Sequence, residues 1–198
     1  MWGVPILGFG YVTGRISLII KRTKEGGIII TGKEKQTKPT ELKRIASFDV
    51  NHLTLEAGLY LSRRDEVGGA VLCSYDVRIT APNKEPYVNP NALHTIEHLL
   101  ATYYRNTEIA KDVVYVGPMG CLSGMYIILN GDRSPEEMHR LIEEGFNFIL
   151  NYGEEDPIPG ATAIECGNYM LHDLGMAKYY AQKYLHTLVE RGNTTLSY

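Results

Sequence analysis

Alternating apolar and polar residues predict strands in the middle of the chain. Residues 58–63 and 70–80 are the first two such segments. In the second segment apolar and polar side chains alternate, which predicts a strand with one covered and one exposed face. Two more apolar segments, near 112–117 and 124–130, also predict strands. The pattern is typical of an antiparallel sheet covered on one side, with Val71, Cys73, Tyr75, Val77 and Ile79 on the covered face and Ser74, Asp76, Arg78 and Thr80 opposite.

Three segments have the signals of helices. The first opens at Asn89-Pro90, an N-cap followed by proline at the first helical position, and runs to about Arg105. The second starts at a capping box, Ser134-Pro-Glu-Glu137. A third helix is predicted over 173–191, ending at Gly192. The apolar face of the second helix has helical spacing and comprises Met138, Leu141, Ile142, Gly145, Phe148, Ile149 and Tyr152.

The order of these elements predicts an α+β fold in which helices cover one face of an antiparallel sheet. Residues 1 to about 43 differ from the rest, because glycine recurs there and the stretch ends in a lysine-rich run. We expect either a loosely ordered extension or one or two short hairpin strands in this region. Its glycines lack the spacing of a phosphate-binding loop, and no βαβ pattern surrounds them.

Charge and cysteine usage narrow the class of protein. Twenty basic and 23 acidic residues give a net charge of −3, which argues against nucleic acid as the main partner. The apolar runs are too short to cross a bilayer, so no membrane association is expected. Three widely spaced cysteines do not make a disulfide framework, and they fit a reducing compartment. We therefore expect a soluble cytoplasmic protein.

The first predicted helix contains the most informative motif, His94-Thr-Ile-Glu97-His98. Residues four apart share one helix face, so the two imidazoles can bind one metal ion. Glu97 lies on a neighbouring part of that face, where it can act as a general base without being a ligand. H-x-x-E-H is the inverted form of the zinc-protease motif.

A catalytic metal of this kind needs a third protein ligand and one open position. Cys166 and Cys121 are the thiol candidates, and the residue types alone leave the choice open. Cys166 follows an irregular Pro/Gly loop that could bring it back to the helix. Cys121 lies between glycines in GPMGCLSG, a setting that suits an accessible, reactive thiol. Cys73, on the apolar face of a strand, is interpreted as a core residue.

Several segments, in the same order, resemble one known family. HTIEHLLATYYRN, GPMGCLSG and PGATAIECGNY are similar to signature segments of the LuxS family of S-ribosylhomocysteine lyases. SFDVNH, SRRDEVGG and YDVRITAPN resemble its N-terminal strands. The resemblance covers residues 45–198, which would form the catalytic domain, and leaves residues 1–44 as an extension outside it. It implies the LuxS/MPP-like metalloenzyme architecture.

The resemblance also implies an activity and a set of roles. The reaction is metal-assisted cleavage of S-ribosylhomocysteine to homocysteine and 4,5-dihydroxy-2,3-pentanedione, the precursor of autoinducer-2. One divalent metal per subunit is implied, typically Fe²⁺ and replaceable by Zn²⁺ or Co²⁺; the ligand types alone favour zinc. Family enzymes are homodimers with active sites at the interface. The resemblance assigns metal binding to His94, His98 and Cys166, acid–base catalysis to Cys121 and Glu97, and substrate binding or proton-transfer support to Ser47, His52 and Arg78.

Two positions depart from the family pattern. Members commonly have Arg or Gln and then Thr after the catalytic cysteine, where this chain has Leu122-Ser123. Many have Asp six residues before that cysteine, where this chain has Tyr115. If a cation after the cysteine helps to hold its thiolate, Cys121 needs another source of a lowered pKa.

Two other classes of function remain as alternatives. An inverzincin-type peptidase would need an acidic third ligand and a larger chain. A metal-stabilised binding module would close the ion off with a fourth protein ligand, for which the sequence offers Cys121. An open site would change its cobalt absorption spectrum when substrate is added, whereas a closed one would not.

Overall fold

The structure is a computed structural model that describes residues 16–22, 28–34, 45 and 48–191. The chain divides into two compact units, Met1–Ile45 and Ala46–Tyr198. In the first unit, β1 (Ile16–Arg22) and β2 (Ile28–Glu34) form an antiparallel hairpin. Hairpin strands are one of the two alternatives that the sequence leaves open for this region. The assignment of residues 1–44 as an extension and 45–198 as the catalytic domain stays a prediction.

The second unit contains a four-stranded antiparallel sheet. Its strands are β3 (Gly58–Val67), β4 (Ala70–Arg78), β5 (Val113–Pro118) and β6 (Gly124–Asn130), in the spatial order β3-β4-β6-β5. All four predicted strands are confirmed, and β3 is longer than expected because the β3–β4 hairpin continues to a tight Gly68-Gly69 turn. In the β4–β6 register Arg78 lies opposite Gly124. The end of β4 that carries Arg78 therefore lies beside the start of β6, three residues after Cys121.

The described part of this unit also contains three helices: α1 (Pro90–Arg105), α2 (Pro135–Leu150) and α3 (Leu174–Arg191). Asn89 caps α1 by accepting hydrogen bonds from two backbone N–H groups of the first turn. Ser134 caps α2 through Glu137 N–H, whereas the Glu137 carboxylate pairs with Arg133 and does not complete the capping box. The predicted helices are confirmed, and the predicted stop at Gly192 lies outside the described residues.

Apolar side chains of the sheet and of all three helices form one core, which confirms the predicted α+β class. Its fully covered members include Val77 and Ile127 from the sheet and Leu99, Phe146 and Tyr184 from the helices. The hydroxyl of Tyr104 donates to the Leu141 carbonyl at 3.0 Å, across the contact of α1 with α2. A Cβ at Gly145 would lie 2.4 Å from that hydroxyl, so glycine permits this close approach.

One expectation about the sheet is wrong. The polar face of β4 was predicted to be exposed, yet Asp76, Arg78 and Thr80 are 0%, 3% and 1% exposed. Burial of both faces is possible here because Asp76 and Arg78 are of opposite charge and pair directly. The opposite face follows the prediction, since Cys73, Tyr75, Val77 and Ile79 are all buried.

Candidate functional site

The histidine pair lies in the N-terminal half of α1. Leu93, Ile96 and Leu100 pack into the core and fix the rotation of the helix, which leaves His94 and His98 half-buried at its edge. The two ring centroids are 4.5 Å apart with the ring planes nearly perpendicular. The i, i+4 spacing therefore places both rings on one face, as the sequence predicts.

Main-chain carbonyls orient both rings. His94 donates from Nδ1 to the Leu171 carbonyl at 2.8 Å, and His98 donates from Nδ1 to the Pro159 carbonyl at 2.7 Å. A carbonyl oxygen only accepts hydrogen bonds, so each Nδ1 holds a proton, and in the neutral ring Nε2 is then the nitrogen that can bind a metal. Metal-binding histidines typically have this second-shell arrangement, which fixes tautomer and ring orientation together.

Cys166 folds back onto this pair. Its Sγ lies 3.4 Å from Nε2 of His94 and accepts a hydrogen bond from the Asn168 N–H at 3.4 Å. A turn in which the Cys166 N–H bonds to the Thr162 carbonyl sets the position of the sulfur. Two ligands of a tetrahedral zinc ion, at its usual Zn–N and Zn–S lengths, are separated by about 3.5 Å. The sulfur–nitrogen distance matches that separation.

A third imidazole, that of His172, is the fourth member of the cluster. It stacks on His94 with ring centroids 4.3 Å apart. Thr95 uses its hydroxyl proton to bond the Asn91 carbonyl, so the 3.3 Å contact between Thr95 Oγ1 and His172 Nδ1 requires the histidine to donate. Nε2 of His172 is then an acceptor, and it is buried without a hydrogen-bond partner among the described residues. Burial, together with His94 and His98, lowers the pKa of His172 to about 4.

These four side chains fit a metal ion. The metal-binding atoms of His94, His98, Cys166 and His172 all lie within 4.8 Å of one another. Two imidazoles and a thiolate are a donor set that suits zinc or iron, and the unpartnered Nε2 of His172 is an orphaned acceptor beside them. Sequence reasoning missed His172, because it follows an irregular segment and belongs to no periodic pattern.

Three other residues predicted from the sequence to belong to the site are Glu97, His52 and Ser47. Glu97 is half-buried on α1, between the two histidines in sequence, and is not one of the four clustered groups. His52 is half-buried in the loop before β3, where its Nδ1 donates to the Val50 carbonyl at 2.8 Å. Ser47 lies outside the described residues.

Cys121 belongs to a second cluster, at the turn between β5 and β6. Its Sγ lies 3.1 Å from the Ser123 hydroxyl and 3.8 Å from Nη1 of Arg78. Ser123 is held against β4, because its carbonyl accepts from the backbone N–H groups of Ile79 and Thr80. Glycine at 124 permits this contact, since a Cβ there would lie 2.3 Å from the Val77 carbonyl oxygen. The thiol is exposed, as its glycine-rich surroundings predict.

The surroundings of Cys121 favour its thiolate. Burial of part of the side chain raises the pKa of the thiol, but the hydroxyl and backbone N–H of Ser123 and the charge of Arg78 outweigh it. The net pKa is therefore lowered. By contrast, burial raises the pKa of the Cys73 thiol, which is 1% exposed in the core. This contrast agrees with the interpretation of Cys121 as the reactive cysteine and Cys73 as a structural one.

The structure shows the surroundings of the two positions, 122 and 115, that depart from the family pattern. Leu122 occupies a left-handed backbone conformation (φ 59°), and its carbonyl accepts from the Val88 N–H just before α1. Its side chain packs against the core, so the cation near the thiol comes from Arg78 and not from position 122. Tyr115 folds across Gly117, where a Cβ would lie 2.0 Å from the tyrosine hydroxyl. Nothing in the structure assigns Tyr115 a chemical role.

None of the described helices is both long and apolar enough to span a bilayer. The model of the family described as S-ribosylhomocysteinase (LuxS) matches residues 45–195. The chain is 49% identical over 150 residues to an S-ribosylhomocysteine lyase of Phocaeicola vulgatus, covering 75% of this chain and 92% of the relative. It is 50% identical over 147 residues to that of Finegoldia magna, covering 74% and 92%. It is 44% identical over 158 residues to that of Clostridium acetobutylicum, covering 79% and 99%.

The match thus includes the α1 histidine pair, the Cys121 turn and the Cys166 loop, and it extends over most of the chain and nearly all of each relative. The resemblance drawn from the signature segments is confirmed. The chain belongs to the S-ribosylhomocysteinase (LuxS) family.

Proposed function

We propose that this chain is an S-ribosylhomocysteine lyase, a carbon–sulfur lyase that releases homocysteine and 4,5-dihydroxy-2,3-pentanedione. The observation that carries the proposal is the convergence of His94, His98 and Cys166 within a chain of this family. The relatives named above carry the same activity in their names. The second product is the autoinducer-2 precursor.

The chemical difficulty lies in breaking a thioether bond whose neighbouring carbons hold no acidic proton. A carbonyl that migrates along the ribose makes one acidic, and β-elimination then breaks the C–S bond, with its electron pair leaving on homocysteine sulfur. A divalent ion held by His94, His98 and Cys166 supplies a Lewis acid for this chemistry. Each migration requires a proton to be removed from one carbon and returned to another, so the protein must provide acid–base groups.

Cys121 is the proposed proton carrier. Its pKa is lowered, which favours the thiolate, and Arg78 and Ser123 lie close enough to compensate the charge as it appears and disappears. Glu97 is the proposed second acid–base group, because it is half-buried on the same helix as the metal-binding histidines. Ser47, His52 and Arg78 are proposed to bind substrate. The guanidinium of Arg78 would then both compensate the charge on Cys121 and bind a substrate hydroxyl that lies beside the thiol.

We propose Fe²⁺ as the native metal, replaceable by Zn²⁺ or Co²⁺. The mixed nitrogen and sulfur donors accept all three ions. All three cysteines are free thiols in the structure, which supports a reducing cytoplasmic location.

We also propose a homodimer with its active sites at the interface. The segment that carries Cys166 is almost entirely exposed in the single chain, and its apolar residues Ile164 and Met170 are 94% and 77% exposed. Exposed apolar groups beside a metal ligand are expected to be covered by a second copy. Sedimentation should give twice the chain mass, and Ile164→Asp should shift the population towards monomer; a monomeric, fully active enzyme would contradict this arrangement.

The decisive experiment is incubation of the metal-loaded protein with S-ribosylhomocysteine, followed by measurement of released homocysteine. Cys121→Ala should release none while retaining its metal, since Cys121 is not one of the clustered ligands. Cys73→Ala is the matched control and should retain activity. Homocysteine release by Cys121→Ala at the wild-type rate would overturn the assignment.

One observation favours a second candidate, a closed metal site without catalysis. His172 can supply a fourth protein ligand, a role for which the sequence had suggested Cys121. A site closed by three imidazoles and a thiolate is structural, whereas a catalytic site keeps one position open. The Co²⁺ form separates the two: substrate should change its visible spectrum if the position is open, and an unchanged spectrum together with no homocysteine release would favour the closed site.

A further inference from the structure

The ion pair between Asp76 and Arg78 is costly to bury. Asp76 is fully covered and Arg78 is 3% exposed, and both side chains lie on the β4 face opposite the apolar core residues. Removing two charges from water costs several kcal/mol per ion before their attraction is counted. An apolar pair of similar volume would serve stability equally well. The position of this pair next to Cys121 gives a functional reason for it.

The two ends of the Arg78 guanidinium face different partners. Nη2 donates to the Asp76 carboxylate, while Nη1 donates to the Ser123 hydroxyl at 2.6 Å and lies 3.8 Å from the Cys121 sulfur. A guanidinium is planar and rigid, so a partner that fixes one nitrogen also fixes the direction of the other. The strand geometry adds to this constraint, because residues 76 and 78 project from the same face of β4.

We propose that Asp76 is a positioning residue, whose carboxylate holds the Arg78 guanidinium against Cys121 and Ser123. The inference deepens the proposed function, since it rests on Cys121 as the proton carrier. Asp76 does not contact the thiol itself in this arrangement and acts through Arg78. Sequence alternation had assigned Asp76 to an exposed face, so no role was expected for it.

Two effects of Asp76 on the thiol have opposite signs, which makes the proposal testable. As a nearby negative charge, Asp76 disfavours the thiolate directly, and its removal would increase thiolate. As the group that holds Arg78 in place, it favours the thiolate, and its removal would decrease it. Among the described residues, Arg78 is the charged group in contact with the sulfur and Ser123 is the neutral polar one.

The experiment measures the thiolate without substrate. The metal-loaded protein is alkylated with iodoacetamide between pH 5 and 10, and modification of the peptide containing Cys121 is followed by mass spectrometry, which separates it from the other two thiols. Asp76→Asn should alkylate about tenfold more slowly than wild type at pH 7, which corresponds to a rise of about one pKa unit. An unchanged or faster rate would overturn the proposal.

A double-mutant cycle tests whether Asp76 acts through Arg78. In an Arg78→Met background, adding Asp76→Asn should not slow alkylation further, since the guanidinium is already absent. Equal slowing in both backgrounds would also overturn the proposal. Asp132→Asn is the matched control, because Asp132 pairs with Arg64 at the opposite end of β6, and it should leave the Cys121 rate unchanged.

A folding defect can be recognised and avoided. Circular dichroism and metal content identify a variant that does not fold, and Asp76→Glu then replaces Asp76→Asn. Glutamate keeps the charge but moves the carboxylate by one methylene, so slower alkylation supports positioning and an unchanged rate contradicts it. Because no substrate is present, slower alkylation can occur even if homocysteine is never released, and the two proposals fail separately.

Discussion

Thr95 couples the metal cluster to the packing of α3, and replacing it with valine tests that coupling. Thr95 is fully buried, and its hydroxyl accepts from the Asp173 N–H at 2.9 Å while bonding the Asn91 carbonyl. Asp173 in turn caps α3 through the Met176 N–H. Valine has the same shape but no hydroxyl, so the Asp173 and His172 donors both lose their acceptor.

The expected magnitude follows from these two donors. Leaving each donor unpaired costs about 1 kcal/mol, so Thr95→Val should lower the free energy of unfolding by about 2 kcal/mol. For a chain of this size that corresponds to a fall in Tm of about 4–8 °C. Movement of the 171–173 segment also displaces the carbonyl that orients His94, and we expect metal affinity to fall about tenfold.

Urea unfolding measured with and without a chelator separates the two effects. The loss of about 2 kcal/mol should be present in the metal-free protein, and each tenfold loss of metal affinity adds about 1.4 kcal/mol when metal is bound in excess. Thr187→Val is the matched control, since Thr187 also bonds the carbonyl four residues before it, at 3.2 Å. Equal effects of the two substitutions, or unchanged metal affinity in Thr95→Val, would refute the coupling.

Four further predictions concern the two clusters and the fold. Cys166→Ser should lower metal affinity more than about 100-fold by isothermal titration, unlike Cys121→Ala, which should bind normally. Gly160→Ala should cost about 1 kcal/mol in urea unfolding, because Gly160 has φ +68°, and should weaken metal binding, because the backbone strain falls next to the Pro159 carbonyl that orients His98; wild-type values for both would contradict this. The alkylation rate of Cys121 in the folded protein should rise with pH around a lower midpoint than in the urea-unfolded chain, because its pKa is lowered; an equal or higher midpoint in the folded protein would contradict the assignment. Ser134→Ala should cost about 1 kcal/mol of stability without changing metal affinity, since it removes only the α2 cap.

The helices and the histidine pair could be predicted because their signals are local. A cap such as Asn89 and the i, i+4 spacing of His94 and His98 depend only on neighbouring residues. The third ligand could not be derived in this way. Residue types left Cys166 and Cys121 as equal candidates, and the family resemblance separated them, because an irregular loop has no period from which to infer its path.

The other features that sequence reasoning missed also depend on contacts that no local sequence pattern shows. His172 reaches the cluster from the irregular segment before α3, which is stabilised by the Asp173–Thr95 hydrogen bond. Alternation distinguishes polar from apolar positions, and on that basis it predicts that Asp76 is exposed. It does not show that Asp76 and Arg78 have opposite charges that pair when both are buried. The source of the lowered pKa of Cys121 was likewise hidden, since Arg78 is distant in sequence and adjacent only through the β4–β6 register.

Main-chain carbonyls orient the imidazoles of His94 and His98, and this affects which mutations the site tolerates during evolution. An oxygen of the main chain is supplied by every amino acid, so substitutions at 159 and 171 leave these acceptors in place as long as the backbone keeps its path. A carboxylate in the same role could be deleted by one codon change. Substitutions of side chains in these segments should therefore change the ring orientation little. Insertions, deletions and substitutions at left-handed positions such as Gly160 should change it more, because they alter the path of the backbone.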